Sequence, residues 1–245
     1  MLFLKTRFHA LSSLLLLCGI ALFLSACRAP SEPALTALKS DNLVEITTNA
    51  DFIALSPKNM MPKTGFVFYP GGFVDERAYA PLCRDIAAAG FYVAIVPQPL
   101  GLAVLAPDKG KIVLEKNKNI SIWAIGGHSL GGAMAARLVH QDSTLFRGLV
   151  VYASYPDVSN DLSKRTGLKV LSVFGSLDGL ATPEKIDENK KYLPASTQYL
   201  RLEGGNHAQF GSYGAQNGDK EATMSAAEQQ RRIAEATTAF LRVLR

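Results

Sequence analysis

Five short apolar runs limit what this chain can fold into: GFVFYP (65–70), FYVAIVP (91–97), SIWAIGG (121–127), GLVVYAS (148–154) and KVLSVFG (169–175). They are rich in β-branched and aromatic residues and show no alternation of apolar with polar positions. Runs of this kind are strands buried on both faces. Stretches of helical spacing separate them. In DERAYAPLCRDIAAAG, Tyr79, Leu82, Cys83 and Ile86 recur every three to four residues, and Gly90 closes the segment where a helix end favours glycine. Residues 130–140, EKIDENKKYL and the tail from about Thr223 to Arg245 also read as helices, as does the second half of residues 98–118. LVEITTN and DFIALSP (43–56) form an opening antiparallel pair, and QYLRLEG (198–204) is a last strand. Strands alternating with helices predict an α/β fold, a mainly parallel sheet with helices on both faces, over residues 43–245. Only about 14 residues separate strand 148–154 from strand 169–175, too few for a helical cap domain.

Residues 1–26 stand apart from this pattern. Lys5 and Arg7 precede the apolar stretch ALSSLLLLCGIALFL, which is short for a membrane span and ends in LSAC (24–27). That is the architecture of a signal peptide. LSAC resembles the bacterial lipobox. The resemblance implies that Cys27 is acylated on sulfur and becomes the new N-terminus, so that the protein is anchored in a cell-envelope membrane. Arg28 follows the cysteine where an inner-membrane retention signal has Asp, which favours an outer membrane. RAPSEPALTALKSDN (28–42) has the Pro, Ser and Ala of a flexible tether.

Charge and cysteine content exclude several other classes. Net charge falls from +5 to +3 when Lys5 and Arg7 leave with the leader. The basic stretch DKGKIVLEKNKN is broken by Asp108 and Glu115 and has no aromatics, so it lacks the continuous stripe that nucleic acid requires. With Cys27 acylated, Cys83 is the one thiol left, and no internal disulfide follows. No His/Cys group has metal-ligand spacing, and no cofactor is implied.

IGGHSLGGAMAA (125–136) sits between an apolar strand and a helix. A G-x-S-x-G pentapeptide is too short to identify a nucleophile alone, but this position supplies the required context. A serine on a tight strand-to-helix turn adopts a strained backbone. Gly127 and Gly131 remove side chains that would collide there. The helix after Ser129 then points its free N–H groups at the reacting centre.

A serine hydroxyl needs a base. His9 leaves with the leader, His128 lies inside the turn and should point away from Ser129, and His140 sits three turns along the helix. His207, in the loop GNHAQFG after the last strand, falls on the same sheet edge as Ser129, because parallel strands end together. The orienting acid should also follow a strand on that edge. GSLDG delivers Asp178; Asp157 and Asp161 compete for the role. Asp178 can instead be a turn residue bonded to its own backbone.

The order Ser129, Asp178, His207 resembles that of the α/β-hydrolase superfamily, and the resemblance extends over roughly residues 43–245. FVFYPGGFVDERAYAPL is similar to the family's strand, His-Gly-X and helix, with Pro70 in place of the histidine. The resemblance implies an oxyanion hole from the backbone N–H groups of Leu130 and Gly72, with Phe73 the near alternative. The shape resembles the compact dienelactone-hydrolase-like members, which often carry cysteine where this chain has Ser129. The implied activity is hydrolysis of a small carboxylic ester or thioester through an acyl-enzyme; acyl transfer by the same triad and a silent binding lipoprotein are the alternatives. PQPLGLAVLAP and HAQFGSYGAQNGD would shape the pocket with Phe73, Leu100, Leu102, Leu105, Phe210 and Tyr213. Phe210 and Tyr213 are also the large side chains available to pin the glycine-rich loop carrying His207, with Gln209 or Asn206 satisfying its backbone.

Overall fold

The computed structural model describes residues 28–244, so Cys27 and the leader expected over 1–26 lie outside the described residues. Eight strands form one sheet in the order β1-β2-β4-β3-β5-β6-β7-β8. β1 (Val44–Thr48) and β2 (Ile53–Pro57) are the expected antiparallel pair, and β2 also runs antiparallel to β4 (Tyr92–Ile95). The remaining pairings, through β3 (Thr64–Tyr69), β5 (Ile122–His128), β6 (Gly148–Tyr152), β7 (Lys169–Gly175) and β8 (Gln198–Leu202), are parallel.

The absence of polar alternation in the central strands has its explanation in two core layers. Phe66, Phe68, Val93, Ile95, Val150 and Tyr152 belong to one apolar cluster. Their chain neighbours Val67, Tyr69, Ala94, Leu149 and Val151 belong to the other. Successive side chains point to opposite faces, so both faces must be covered. Helix α1 (Glu32–Thr36) precedes the sheet. α2 (Ala80–Ala88) covers the first face with Leu82 and Ile86, after a 3-10 turn over Glu76–Tyr79. α3 (Lys111–Lys116) and α4 (Leu130–Gln141) cover the second with Val113, Met134, Ala135 and Leu138. α5 (Pro183–Asn189) and α6 (Ala226–Arg242) return to the first, through Ile186, Ile233 and Phe240. The link from β6 to β7 holds one short 3-10 turn, Val158–Asn160, and no inserted domain.

Residues 28–42 are not the free tether that their composition suggests. The Arg28 N–H donates to Phe73 O at 2.7 Å and Arg28 O accepts from the Asp75 N–H at 3.1 Å, a short parallel bridge to Val74. Ser31 N–H donates to Ser212 O at 2.7 Å, and α1 buries Ala34 completely. Arg84 on α2 donates to the carbonyls of Ala37 and Lys39 at 2.9 and 2.7 Å and pairs with Asp41 at 2.5 Å. A five-residue helix has no stability of its own. Composition reports that weakness but not the surface that overcomes it.

Arg84→Ala should therefore loosen residues 31–42 and leave the sheet intact. We expect a loss of about 1–2 kcal/mol in urea unfolding, the scale of charge-assisted hydrogen bonds, with new protease cleavage near Ala37–Asp41. Unchanged protease resistance there would show that α1 is held by other contacts.

Candidate active site

Ser129 sits between β5 and α4 with φ 53° and ψ −122°, a conformation that L residues rarely adopt. Its N–H donates to Tyr152 O at 2.9 Å, and its carbonyl accepts from Ser154 Oγ at 2.7 Å. The flanking glycines are required by backbone. A Cβ on Gly131 would lie 2.2 Å from Tyr69 O and 2.3 Å from Pro70 O; one on Gly127 would lie 2.5 Å from Tyr69 O and 2.6 Å from Gly131 C. The turn is thus pressed against the carboxyl end of β3, which leads into the candidate oxyanion segment. Ser129 itself is half-buried.

Three consecutive N–H groups follow β3 and Pro70. The Gly71 N–H donates to Tyr79 Oη at 3.0 Å, and the Phe73 N–H donates to Gly101 O at 2.9 Å. Gly72 between them has no acceptor among the described residues. The Leu130 N–H, in the first turn of α4, has none either, as the geometry of a helix start dictates. The two residues adjoin: a Cβ on Gly72 would sit 3.3 Å from Leu130 Cδ2. This favours Gly72 over Phe73 as partner of Leu130.

Where the sequence has Pro70 in place of histidine, other residues supply the support. Tyr79 Oη lies 2.9 Å from His128 Nδ1 as well as accepting from Gly71. A buried bridge therefore joins the residue before Gly72 to the residue before Ser129. Burial holds the His128 imidazole well below its usual pKa of 6.5; the neighbouring His207 and Arg28 act in the same direction, and the backbone of His207 opposes them. Burial likewise raises the Tyr79 hydroxyl. Nothing in the sequence reading pointed to Tyr79 in this role.

His207 and Asp178 meet as expected. His207 Nδ1 lies 2.9 Å from Asp178 Oδ2, and both side chains are buried. Asp178 Oδ1 accepts from the N–H groups of Leu180 and Ala181 at 2.8 and 2.7 Å. Asp178 is thus both turn residue and histidine partner, with one oxygen for each. His207 Nε2 is buried and makes no hydrogen bond. The competing acids are occupied elsewhere. Asp157 caps the Val158–Asn160 turn through Ser159 and Asn160, and those bonds lower its pKa. Asp161 binds the Ser163 N–H, and its carbonyl faces the exposed His140.

The loop carrying His207 is held by polar residues the sequence reading did not single out. Asp219 Oδ2 accepts from the Ala208 N–H at 2.8 Å, and Oδ1 accepts from the Gly179 N–H at 3.0 Å. One carboxylate therefore spans the residues following His207 and Asp178. Gln229 on α6 is fully buried; its Oε1 accepts from the Asn206 N–H at 3.0 Å and its Nε2 donates to Asn206 O at 2.8 Å. Asn206 serves the backbone as anticipated, donating to Lys220 O and accepting from the Gln209 N–H.

Phe210 and Tyr213 need correction as substrate contacts. Phe210 is fully buried and Tyr213 nearly so, and both belong to the core behind the sheet edge. Phe210 packs on the imidazole of His128 (5.4 Å, 12° between planes), and His128 in turn lies 4.5 Å from the His207 ring. Pinning of His207 thus passes through His128. Tyr213 donates to Gln216 Oε1 at 3.0 Å. Phe73 and Leu102 remain half-buried, and Leu100 and Leu105 are exposed, at the carboxyl edge. A cavity of about 1060 Å³ borders the His207 loop, lined by Ser31, Asn206, Ala208, Gln209, Asp219 and Gln230. Ser129, Gly72 and Leu130 do not line it. Among the described residues no group of three or more His, Cys, Asp and Glu side chains could hold a metal ion.

The family model described as "Alpha/beta hydrolase family" matches residues 65–231. Among solved structures, an esterase domain from a Rhodothermus marinus protein superposes with a TM-score of 0.61 at 12% identity, covering 81% of this chain and 98% of that one. A predicted CIB-like hydrolase from Thermoplasma acidophilum gives 0.61 at 15% identity, over 81% and 99%. A dienelactone hydrolase from Anabaena variabilis gives 0.59 at 11% identity, over 84% and 99%. At such identities the likeness is one of fold. No curated protein sequence matches.

Two tests follow from these contacts. Asp219→Ala should lower kcat by about 10-fold or more with little change in KM, since a small misplacement of a base is costly; Asp219→Asn, which keeps one acceptor, should recover part of the loss. Equal parent-like kcat in both variants would remove the clasp from the account. His128 supplies the second test. Its folded-state pKa lies below 6.5, so below about pH 6.5 the unfolded chain binds a proton that the folded chain refuses, and stability falls as pH falls. Urea unfolding between pH 7.5 and 5 should show a slope shallower by up to about 1.4 kcal/mol per pH unit in His128→Gln than in the parent. Identical slopes would mean that His128 protonates in place.

Proposed function

This chain belongs to the alpha/beta hydrolase family, and from that premise we propose that it is a serine hydrolase that cleaves carboxylic esters, or thioesters, through an acyl-enzyme. The observation that carries the reading is the buried His207–Asp178 pair, 2.9 Å apart, with His207 Nε2 left without a partner on the edge that presents Ser129. In the proposed reaction Ser129 Oγ attacks the acyl carbonyl as His207 Nε2 takes its proton. Asp178 Oδ2 holds the Nδ1–H and stabilises the imidazolium that forms. The N–H groups of Gly72 and Leu130 receive the developing oxyanion; removing one oxyanion-hole donor costs about 3 kcal/mol in other serine hydrolases. Collapse expels the alcohol or thiol with the proton returned from His207. Water, activated by the same imidazole, then releases the acid and regenerates Ser129.

We place the protein on a cell-envelope membrane, the outer one in a two-membrane cell, through acylation of Cys27, on the strength of LSAC and the leader before it. Cys27→Ser should abolish incorporation of labelled fatty acid; acylation of that variant would remove the anchor.

A graded mutant series on nitrophenyl esters tests the chemistry. Ser129→Ala and His207→Ala should each reduce kcat by about 10³-fold or more, and the double variant should be no worse than either, because the two act as one unit. Asp178→Asn should be severe and Asp157→Asn mild. The reverse ranking of the two aspartates, or retained turnover in Ser129→Ala, would contradict the assignment.

A further inference from the structure

We propose that the mouth of the site is pressed against the bilayer in which Cys27 is anchored, and that the ester it takes is carried by an amphiphile resident in that bilayer. This rests on the lipid-anchor and esterase readings above and goes beyond both.

The first observation is where the anchor meets the fold. The described chain starts at Arg28, whose N–H and C=O are bonded to Phe73 and Asp75, immediately after Gly72. Consecutive Cα atoms are about 3.8 Å apart. On the anchor reading the lipid is attached to the residue before Arg28, and the Arg28 backbone itself is held at the candidate oxyanion segment. A long free tether would have left the orientation of the domain open, and residues 28–42 are not one.

The second observation is what surrounds that point. Phe73 donates its N–H to Gly101 O, and a Cβ on Gly101 would lie 3.3 Å from Phe73 Cα. The segments carrying Arg28, Phe73 and Leu100–Leu102 thus lie side by side. Leu100 is 84% exposed, and Val104 and Leu105 are 44% and 54% exposed. Both Phe73 and Leu100 hold positive φ, 56° and 52°, conformations that side chains resist. The local fold therefore keeps a leucine turned to the outside against its own backbone preference. Exposed apolar side chains gathered at one place mark an interaction surface. On the anchor reading the acyl chains attach next to Arg28, and the surface that covers these side chains is lipid. Apolar residues at a membrane interface reach about 5–10 Å into the headgroup and acyl boundary. Met60 and Met61 supply an internal contrast, because they are equally exposed but lie before β3, at the opposite edge of the sheet.

The experiment uses the full-length acylated protein reconstituted in vesicles of phosphatidylethanolamine and phosphatidylglycerol, with and without brominated acyl chains. Tryptophan is introduced as Leu100→Trp or, in a second protein, Met61→Trp; Trp123 is a background common to both. Leu100→Trp should show blue-shifted emission and loss of intensity to brominated lipid, and Met61→Trp should show neither. A fluorogenic long-chain ester should be hydrolysed when it shares the vesicle with the protein and not when it sits in separate vesicles. If the protein floats with vesicles but Leu100→Trp is not quenched, or both tryptophans are quenched alike, the orientation is overturned while the anchor stands. Failure to float overturns the anchor and the orientation with it. Quenching without hydrolysis of the shared-vesicle ester, in a protein that cleaves soluble nitrophenyl esters, overturns the substrate class alone. A blue shift that follows protein concentration without lipid quenching assigns the patch to a second copy and overturns the proposal.

Discussion

Everything in the site depends on holding Ser129 at φ 53° and ψ −122°. A residue in such a conformation costs on the order of 1–3 kcal/mol and persists only where its surroundings over-determine it. Here they do. Gly127 and Gly131 allow the turn to close onto the carbonyls of Tyr69 and Pro70, Tyr152 O takes the serine N–H, and Ser154 Oγ bonds the serine carbonyl. Gly132 extends the same logic, since a Cβ there would lie 2.7 Å from Ser154 Cβ. The same contacts set the distance between β3 and α4. They therefore bring Gly72, which follows β3, beside Leu130, which opens α4. Strain at the candidate nucleophile and the approach of Gly72 to Leu130, the candidate oxyanion donors, are one packing event.

A second layer of buried polar groups joins the loops at that edge. Tyr79 and His128 tie the segment after β3 to the turn, Asp178 holds His207, Asp219 clasps the residues after each of them, and Gln229 fixes Asn206 from α6. Buried polar groups are expensive when unpaired. Two imidazole nitrogens, His128 Nε2 and His207 Nε2, nonetheless lack partners. For His207 that atom is the base the proposed reaction needs. For His128 the cost is limited by keeping the ring neutral, which its lowered pKa reflects.

Much of this was legible in the sequence, and for physical reasons. Double-sided burial writes itself as unbroken apolar runs, so β3 to β7 and their mainly parallel arrangement could be read directly, though not the strand order. The turn around Ser129 was legible because backbone crowding leaves only glycine at 127 and 131. Asp178 and His207 followed from chain order and a shared sheet edge. What escaped was whatever depends on contacts between distant segments. Tyr79 reads as one more apolar position on a helix until its hydroxyl meets Gly71 and His128. Asp219 and Gln229 sit in polar stretches where nothing local distinguishes a clasp from a solvated side chain. Phe210 was placed in the right loop but given the wrong neighbour, because sequence cannot say that His128 stands between it and His207. Residues 28–42 read as linker because their order comes from Phe73, Arg84 and Ser212, far along the chain.

The central claim is that Ser129 is the nucleophile, and the most direct measurement is covalent. The native protein treated with a fluorophosphonate, digested and mapped by mass spectrometry should carry a single adduct, on the peptide containing Ser129. Labelling should disappear on denaturation before treatment. An unlabelled protein, or an adduct on another serine such as Ser154, would contradict the account.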